Sequence, residues 1–215
     1  MVNDTPRPAR ARSPEEKSLR RGDILRAAER LWANTPYAEL SMNQVAREAD
    51  LAKGTLYLYF DTKEELFLAL LTEHLGRWVT EADGLLTERQ PGTPGEVAEV
   101  LARSTRGHEP LRRLLILLGT VLERNVRPEL TLGFKREVRG MLQTLIDRLP
   151  YRPEITLRLL MHAYALSVGW QQVTEDTPAT STLRRYPELS FLSPNFETEF
   201  GFGLRAVIER LTAEG

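Results

Sequence analysis

The chain has 215 residues, 41% of them hydrophobic, enough to bury the core of one large or two small domains. Its 29 Lys/Arg and 30 Asp/Glu give a formal charge of -1 and a pI near 6.4, so no whole-molecule positive field advertises nucleic-acid binding. The absence of cysteine excludes disulfides, thiolate metal sites and cysteine nucleophiles, and fits a reducing compartment.

Residues 1–12, with two Pro and three Arg and no apolar periodicity, read as a disordered basic arm able to reach a phosphate or minor groove. They contain no apolar stretch of the signal-peptide kind, and the most apolar run, "LLILLG" at 114–119, is too short to cross a bilayer. A cytoplasmic protein with no membrane partner is expected. A helix then opens at Ser13, where Pro14 suits the first helical position and Glu16 completes a capping box. Ile24, Leu25, Ala28, Leu31 and Trp32 recur at helical spacing and predict one buried face. After a break at Pro36, Ser41 and Gln44 form a second box that starts a short helix over 42–49. A third short helix, "GTLYLYF", follows. Asp61-Thr62-Lys63-Glu64 repeats the cap pattern and opens a long helix, whose Leu66, Phe67, Leu70, Leu71, Leu75 and Trp78 form a stripe.

The Gly/Pro cluster at 89–96 breaks the chain, and helices are predicted over 95–105, 111–124, 128–149 and 153–173. The segment 153–173 is apolar on nearly every face, which implies burial on more than one side. A poorly periodic loop over 174–195 precedes a final helix from 196, with Phe200, Leu204, Val207, Ile208 and Leu211 on one stripe. No segment alternates as a strand does. The expectation is an all-α chain of about nine helices: an arm at 1–12, a helix-turn-helix domain at 13–63 and a helical domain at 64–215.

Three short helices followed by a long one have the layout of a helix-turn-helix head, in which the second helix of the pair enters the major groove. Val45 and Ala46 face inward, Leu51 plugs the turn, and Leu56 and Phe60, four apart, anchor the next helix. Thr55, Tyr57 and Tyr59 are then left toward the surface, with Lys53 and Gly54 at the helix start. Residues 1–63 carry eleven Lys/Arg against nine Asp/Glu, a slight local positive balance.

The stretch "LSMNQVAREADLAKGTLYLYFDTKEELFLAL", with "ILRAAERLW" upstream, resembles the N-terminal DNA-binding domain of the TetR/AcrR family of transcriptional regulators. The resemblance covers about residues 20–70 and rests on K-G-T-L-Y-x-Y-F followed by x-x-K-E-E-L-F; residues 71–215 resemble the family only in helical layout. It implies a homodimer that binds a pseudo-palindromic operator in double-stranded DNA, as a repressor, and is released when an unidentified small molecule enters the C-terminal domain. Carried over by position, Lys53 and Gly54 begin the recognition helix and offer an ammonium and an open backbone amide to phosphate or base edge. Thr55 is placed for base-edge or thymine-methyl contact. Tyr57 and Tyr59 approach the DNA backbone, Lys63 matches a phosphate-binding lysine, and Ser41, Asn43 and Arg47 supply further phosphate contacts. Capping alone also explains Ser41. Two residues depart from the family pattern Ala-Gly-Val-Ser before the Lys-Gly pair. Asp50 replaces glycine in a left-handed turn and brings a negative charge near DNA, and Ala52 lacks the hydroxyl that would cap the recognition helix.

In the C-terminal domain the helices 153–173 and 196–211 are expected to form the dimer surface, with Gly169, Gly201 and Gly203 allowing close approach. His74, Trp78, Phe134, Met141, His162, Tyr164 and Trp170 are expected to wall a ligand cavity, although each is also explained as core or surface. The rival reading is a helical small-molecule-binding protein or an enzyme without DNA binding. His74, His108 and His162 lie on different segments with no H-E-x-x-H pattern, and no Walker loop, nucleophile elbow or dinucleotide fingerprint occurs. No catalytic residues, metal or cofactor are therefore expected.

Overall fold

The computed structural model describes residues 13–175, 177, 180, 182 and 186–213; the arm expected at 1–12 and parts of the 174–195 loop lie outside the described residues. Every regular element among the described residues is helical. Ten α-helices occur among the described residues: α1 Pro14–Trp32, α2 Met42–Glu48, α3 Lys53–Leu56, α4 Lys63–Arg89, α5 Pro94–Ser104, α6 Glu109–Leu117, α7 Glu123–Asn125, α8 Pro128–Arg148, α9 Pro153–Thr174 and α10 Phe196–Ala213. Short 3-10 turns cover Tyr37–Glu39 and Pro187–Leu192.

The chain divides into two compact units, one up to Leu70 and one from Leu71 onward. The division falls inside α4, later than the expected 63/64 boundary, because the opening turns of that helix belong to the first core. Leu66, Phe67 and Leu70 are fully buried there, and Phe67 meets the rings of Trp32 and Tyr37 edge-on at 5.7 and 4.8 Å. Such edge contacts suit the ring quadrupoles and contribute beyond area burial.

In the first unit, both predicted capping boxes form, Ser13 with Glu16 and Ser41 with Gln44. α1 buries Ile24, Leu25, Ala27, Ala28 and Trp32, and α2 buries Met42, Val45 and Ala46. Each large side chain so buried contributes ~1.5–3 kcal/mol. The cap of α4 is shifted by one residue from the expected pattern. Thr62 Oγ1 accepts the Glu65 amide at 3.1 Å while the Glu65 carboxylate accepts the Asp61 amide, also at 3.1 Å. Thr62, with Glu65 three residues on, meets the spacing rule from one position later than Asp61 does.

In the second unit, α10 packs against both α5 and α9. Its Phe196 and Phe200 stack at 5.3 Å, and Leu204, Ile208 and Leu211 continue the buried stripe. A Cβ on Gly203 would lie 3.1 Å from Leu166 Cδ2, so this glycine serves the α9–α10 packing inside one chain. That corrects the expectation that it admits a partner; around Gly169 the space is open. α5 starts from a capping box of Thr93 and Glu96 that the sequence reading passed over. The single helix expected over 111–124 is broken by a π-helical turn, Leu118–Leu122. Such turns insert a residue into the helical ladder and are frequent at functional sites. α9 buries Thr156, Ser167 and Gln171 beside Leu159 and Leu160, and exposes Leu157, Met161 and Val173. Its apolar faces are therefore divided between core and surface.

Candidate nucleic-acid interface and internal cavity

The recognition segment is a single helical turn, shorter than expected from "GTLYLYF". α3 closes at Leu56, and the chain continues through turn hydrogen bonds from the amides of Leu58 to Thr55 and Tyr59 to Leu56. What fixes it is its apolar anchor: Leu56 is fully buried, Phe60 is buried under the Arg21 guanidinium at 5.1 Å, and Val45 and Ala46 of α2 are buried as well. This inward set turns the remaining side chains outward. Lys53, Gly54 and Tyr57 are exposed, with the Lys53 ammonium 5.9 Å from the Tyr57 ring centre; Thr55 and Tyr59 are partly exposed. A Cβ on Gly54 would meet nothing within 4 Å, so nothing in the free chain hinders a group approaching its backbone. Asn43, Arg47 and Ser41 are exposed on and before α2, with Ser41 engaged in its capping box.

Lys63 differs from the others. Its ammonium donates to the carbonyls of Tyr37 at 2.8 Å and Leu40 at 2.9 Å, and lies 4.1 Å from the Tyr37 ring centre. It closes the turn between α1 and α2, leaving one N–H for anything else. The Tyr37 hydroxyl in turn donates to Glu64 at 2.8 Å; burial first, then the Glu64 carboxylate, raises its pKa above the usual tyrosine value. Sequence reading missed both the Lys63–Tyr37–Glu64 arrangement and Leu58, which is 82% exposed. The signal for Leu58 was present, since helical spacing that sends Leu56 and Phe60 inward sends the residue between them outward.

Asp50 has φ 52°, the left-handed conformation that the comparison with glycine implied. Ala52 stands at the N-cap of α3 with no side-chain hydrogen bond. The turn into the recognition segment therefore carries a conformational cost and lacks a cap.

The second unit encloses a cavity of about 410 Å³. α4 contributes Leu75 and Trp78, α5 Leu101, α6 Leu111, Arg112 and Leu115, and the π-helical turn Leu118. α8 supplies Phe134, Lys135, Val138 and Leu142, α9 Leu160, Met161, Tyr164 and Ser167, and α10 Phe200 and Leu204. Of the seven residues named from sequence, Trp78, Phe134 and Tyr164 line it. His74 is buried away from its wall, Met141 and Trp170 pack against the neighbouring core, and His162 is exposed. Their spread over several faces of α4, α8 and α9 could not be resolved from periodicity, because apolar residues occupy more than one face of each helix.

The polar groups at the wall are few. Lys135 pairs with Glu123, and His108 Nε2 meets Glu81 at 2.8 Å. Trp78 Nε1 donates to Ser104 at 3.1 Å. Arg112, absent from the sequence expectation, is held by neutral acceptors: its Nε donates to Gln171 Oε1 at 2.7 Å and Nη1 to the Thr105 carbonyl at 2.8 Å, with the Phe196 ring 4.0 Å away. Burial lowers its pKa; Glu109 and Glu197 act in the opposite sense from farther away, and Glu197 is itself paired with Arg106 at 3.1 Å. Outside the cavity, Leu157 and Val173 of α9 and Phe202 of α10 are exposed apolar side chains, Phe202 by 74%, and Met161 at the cavity wall is itself 63% exposed. No helix among the described residues is long and apolar enough to cross a membrane.

Comparison with known proteins matches residues 24–70 to bacterial regulatory proteins of the tetR family and residues 72–214 to a tetracyclin repressor-like C-terminal domain. The fatty acid metabolism regulator protein of Bacillus subtilis is 30% identical over 66 residues, 31% of this chain and 34% of that protein. The chain thus matches about a third of this curated relative's length. Among solved structures, a possible TetR family transcriptional regulator from Streptomyces coelicolor A3(2) superposes with a TM-score of 0.60 at 22% identity, covering 91% of this chain and all of the other. Thermus thermophilus FadR, a TetR family repressor in complex with lauroyl-CoA, gives 0.53 at 20% identity, over 88% and 93% of the two chains. At these identities the structural likeness concerns the fold.

Proposed function

We propose a function from one established premise: this chain belongs to the TetR family of bacterial regulatory proteins. It acts as a ligand-responsive DNA-binding transcriptional regulator, not as an enzyme, and represses from a pseudo-palindromic operator as a homodimer. The observation that carries this reading is the division of labour in the recognition segment. Leu56 and Phe60 are buried while Lys53, Gly54 and Tyr57 stand free on the outside. That leaves an ammonium, an unobstructed amide and a phenol for phosphate, with Thr55 and the exposed Leu58 placed for base edges and thymine methyls.

The dimer is proposed through α9 and α10, where Leu157, Met161, Val173 and Phe202 present apolar surface that the chain does not itself cover. Two recognition segments about 34 to 36 Å apart then meet successive major grooves. A ligand in the cavity acts by favouring an arrangement with a different separation, and its effect is limited to its differential affinity for the two arrangements. α4 contributes to both units and is the element through which the change is carried. Thermus thermophilus FadR, whose fold this chain shares, forms a complex with lauroyl-CoA, which supports a small-molecule effector.

Fluorescence anisotropy with a DNA fragment from upstream of the protein's own coding region tests the reading. Binding is expected to be at least about a thousandfold tighter than to random DNA of equal length, with a steep negative salt slope. Equal affinity for both DNAs, unchanged by Lys53→Ala and Tyr57→Ala, would sink it.

A further inference from the structure

We infer that the cavity selects a small amphipathic carboxylate, with Arg112 as the receptor for its head group. This rests on the reading that the cavity holds the effector. Among the described residues lining it, Lys135 is paired with Glu123 and His108 Nε2 has Glu81 as its partner, while Arg112 has only neutral hydrogen-bond partners. Arg112 makes no ion pair within 4.0 Å among the described residues, and its two hydrogen bonds go to an amide oxygen and a backbone carbonyl. Glu197, the carboxylate α10 offers nearby, is engaged by Arg106. A half-buried guanidinium whose hydrogen-bond partners are neutral has its charge offset only from farther away, by Glu109 and Glu197, a costly arrangement that a closer anion relieves.

The geometry is also that of a prepared receptor. Gln171 and the Thr105 carbonyl fix the guanidinium plane, and Phe196 covers one face at 4.0 Å. Nη2 is left without a partner among the described residues, and the planar fork matches the two oxygens of a carboxylate. Beyond it the wall is apolar, with Leu111, Leu115, Phe134, Val138 and Leu160 offering room for a hydrocarbon tail. A volume of about 410 Å³ lies at the small end of the range of about 300–1,000 Å³ found for small-ligand sites. A medium-chain or aryl carboxylate has that size.

Decanoate, 1-decanol, decylamine and decanoyl-CoA are titrated into the full chain by calorimetry, with intrinsic tryptophan fluorescence, to which Trp78 of the wall contributes, as a second readout. Decanoate is expected to bind about tenfold to a hundredfold tighter than the alcohol, and the amine weakest. Arg112→Gln removes the preference for decanoate over decanol and leaves decanol affinity within about threefold, whereas Arg112→Lys keeps part of the preference. Thermal unfolding of both variants checks that the wall is intact. Equal binding of decanoate and decanol by the unaltered protein overturns the inference without any variant, as does tighter binding of decanoyl-CoA or no binding of any of the four. If decanoate binds through Arg112 but does not release operator DNA, the carboxylate site stands and the regulatory reading of the cavity fails.

Discussion

Lys63 in the first unit and Arg112 in the second are both part-buried cations on the first turn of a helix, yet their surroundings differ. Lys63 is consumed by its own chain, through the carbonyls of Tyr37 and Leu40 and the face of the Tyr37 ring. Arg112 is held in place by neutral acceptors that do not cancel its charge. In the first unit the cation fastens the α1–α2 turn to the start of α4, so surface presentation and fold stability reside in the same contacts. In the second unit the cation is positioned by neutral partners, and Glu109 and Glu197 offset its charge only from farther away.

The largest effect that separates the units is expected from Phe67→Ala. It removes a fully buried ring with two edge contacts and should cost about 3–5 kcal/mol in urea unfolding. An unchanged midpoint would show that Phe67 is not part of the first core. Next comes Lys63→Met, which leaves two carbonyls without their donor and is expected to cost about 1.5–3 kcal/mol. Lys53→Met should change stability by less than about 0.5 kcal/mol and instead flatten the salt slope of DNA binding by about one. If both lysines behave alike in unfolding, the distinction between clamp and contact is wrong.

A smaller gain is expected at the turn into α3. Ala52→Ser supplies the missing cap hydroxyl and should stabilise by about 0.5–2 kcal/mol. Asp50→Gly relieves the left-handed φ of 52° and should stabilise by less than about 1 kcal/mol. Thermal melts of the single and double variants measure both; no gain from Ala52→Ser would mean that the cap site is not open to a hydroxyl.

The smallest effects are in the pH profiles, and they have opposite signs in the two units. In the second unit the Glu96 carboxylate accepts the Gly92 and Thr93 amides, each at 2.9 Å, which lowers its pKa. A lowered folded value gives stability that is present at neutral pH and lost as pH falls through it. Glu96→Gln should flatten the acid limb of the stability curve between about pH 5 and 2. In the first unit Tyr37 is raised by burial and by Glu64, so its contribution persists below about pH 10 and declines above it; Tyr37→Phe should remove that alkaline decline.

The all-helical class, two of the capping boxes and the anchor residues Leu56 and Phe60 were legible in the sequence, because each depends on short, fixed spacings: three residues for a box, four for one face of a helix. The exposure of Lys53, Gly54 and Tyr57 was legible for the same reason. The carbonyls that hold Lys63 lie 26 and 23 residues away, and the acceptor of Arg112 Nε lies 59 away, so local pattern carried no trace of them. The cavity was harder still. α4, α8 and α9 each carry apolar residues on more than one face, and which face meets empty space is a property of the packed helices together, not of any one period. The chain alone thus determined which segments are helices and which turn presents Lys53 and Tyr57. Only tertiary packing decided that Lys63 would be satisfied and Arg112 would not, since the cost of a buried charge depends on every group that long-range folding brings to it.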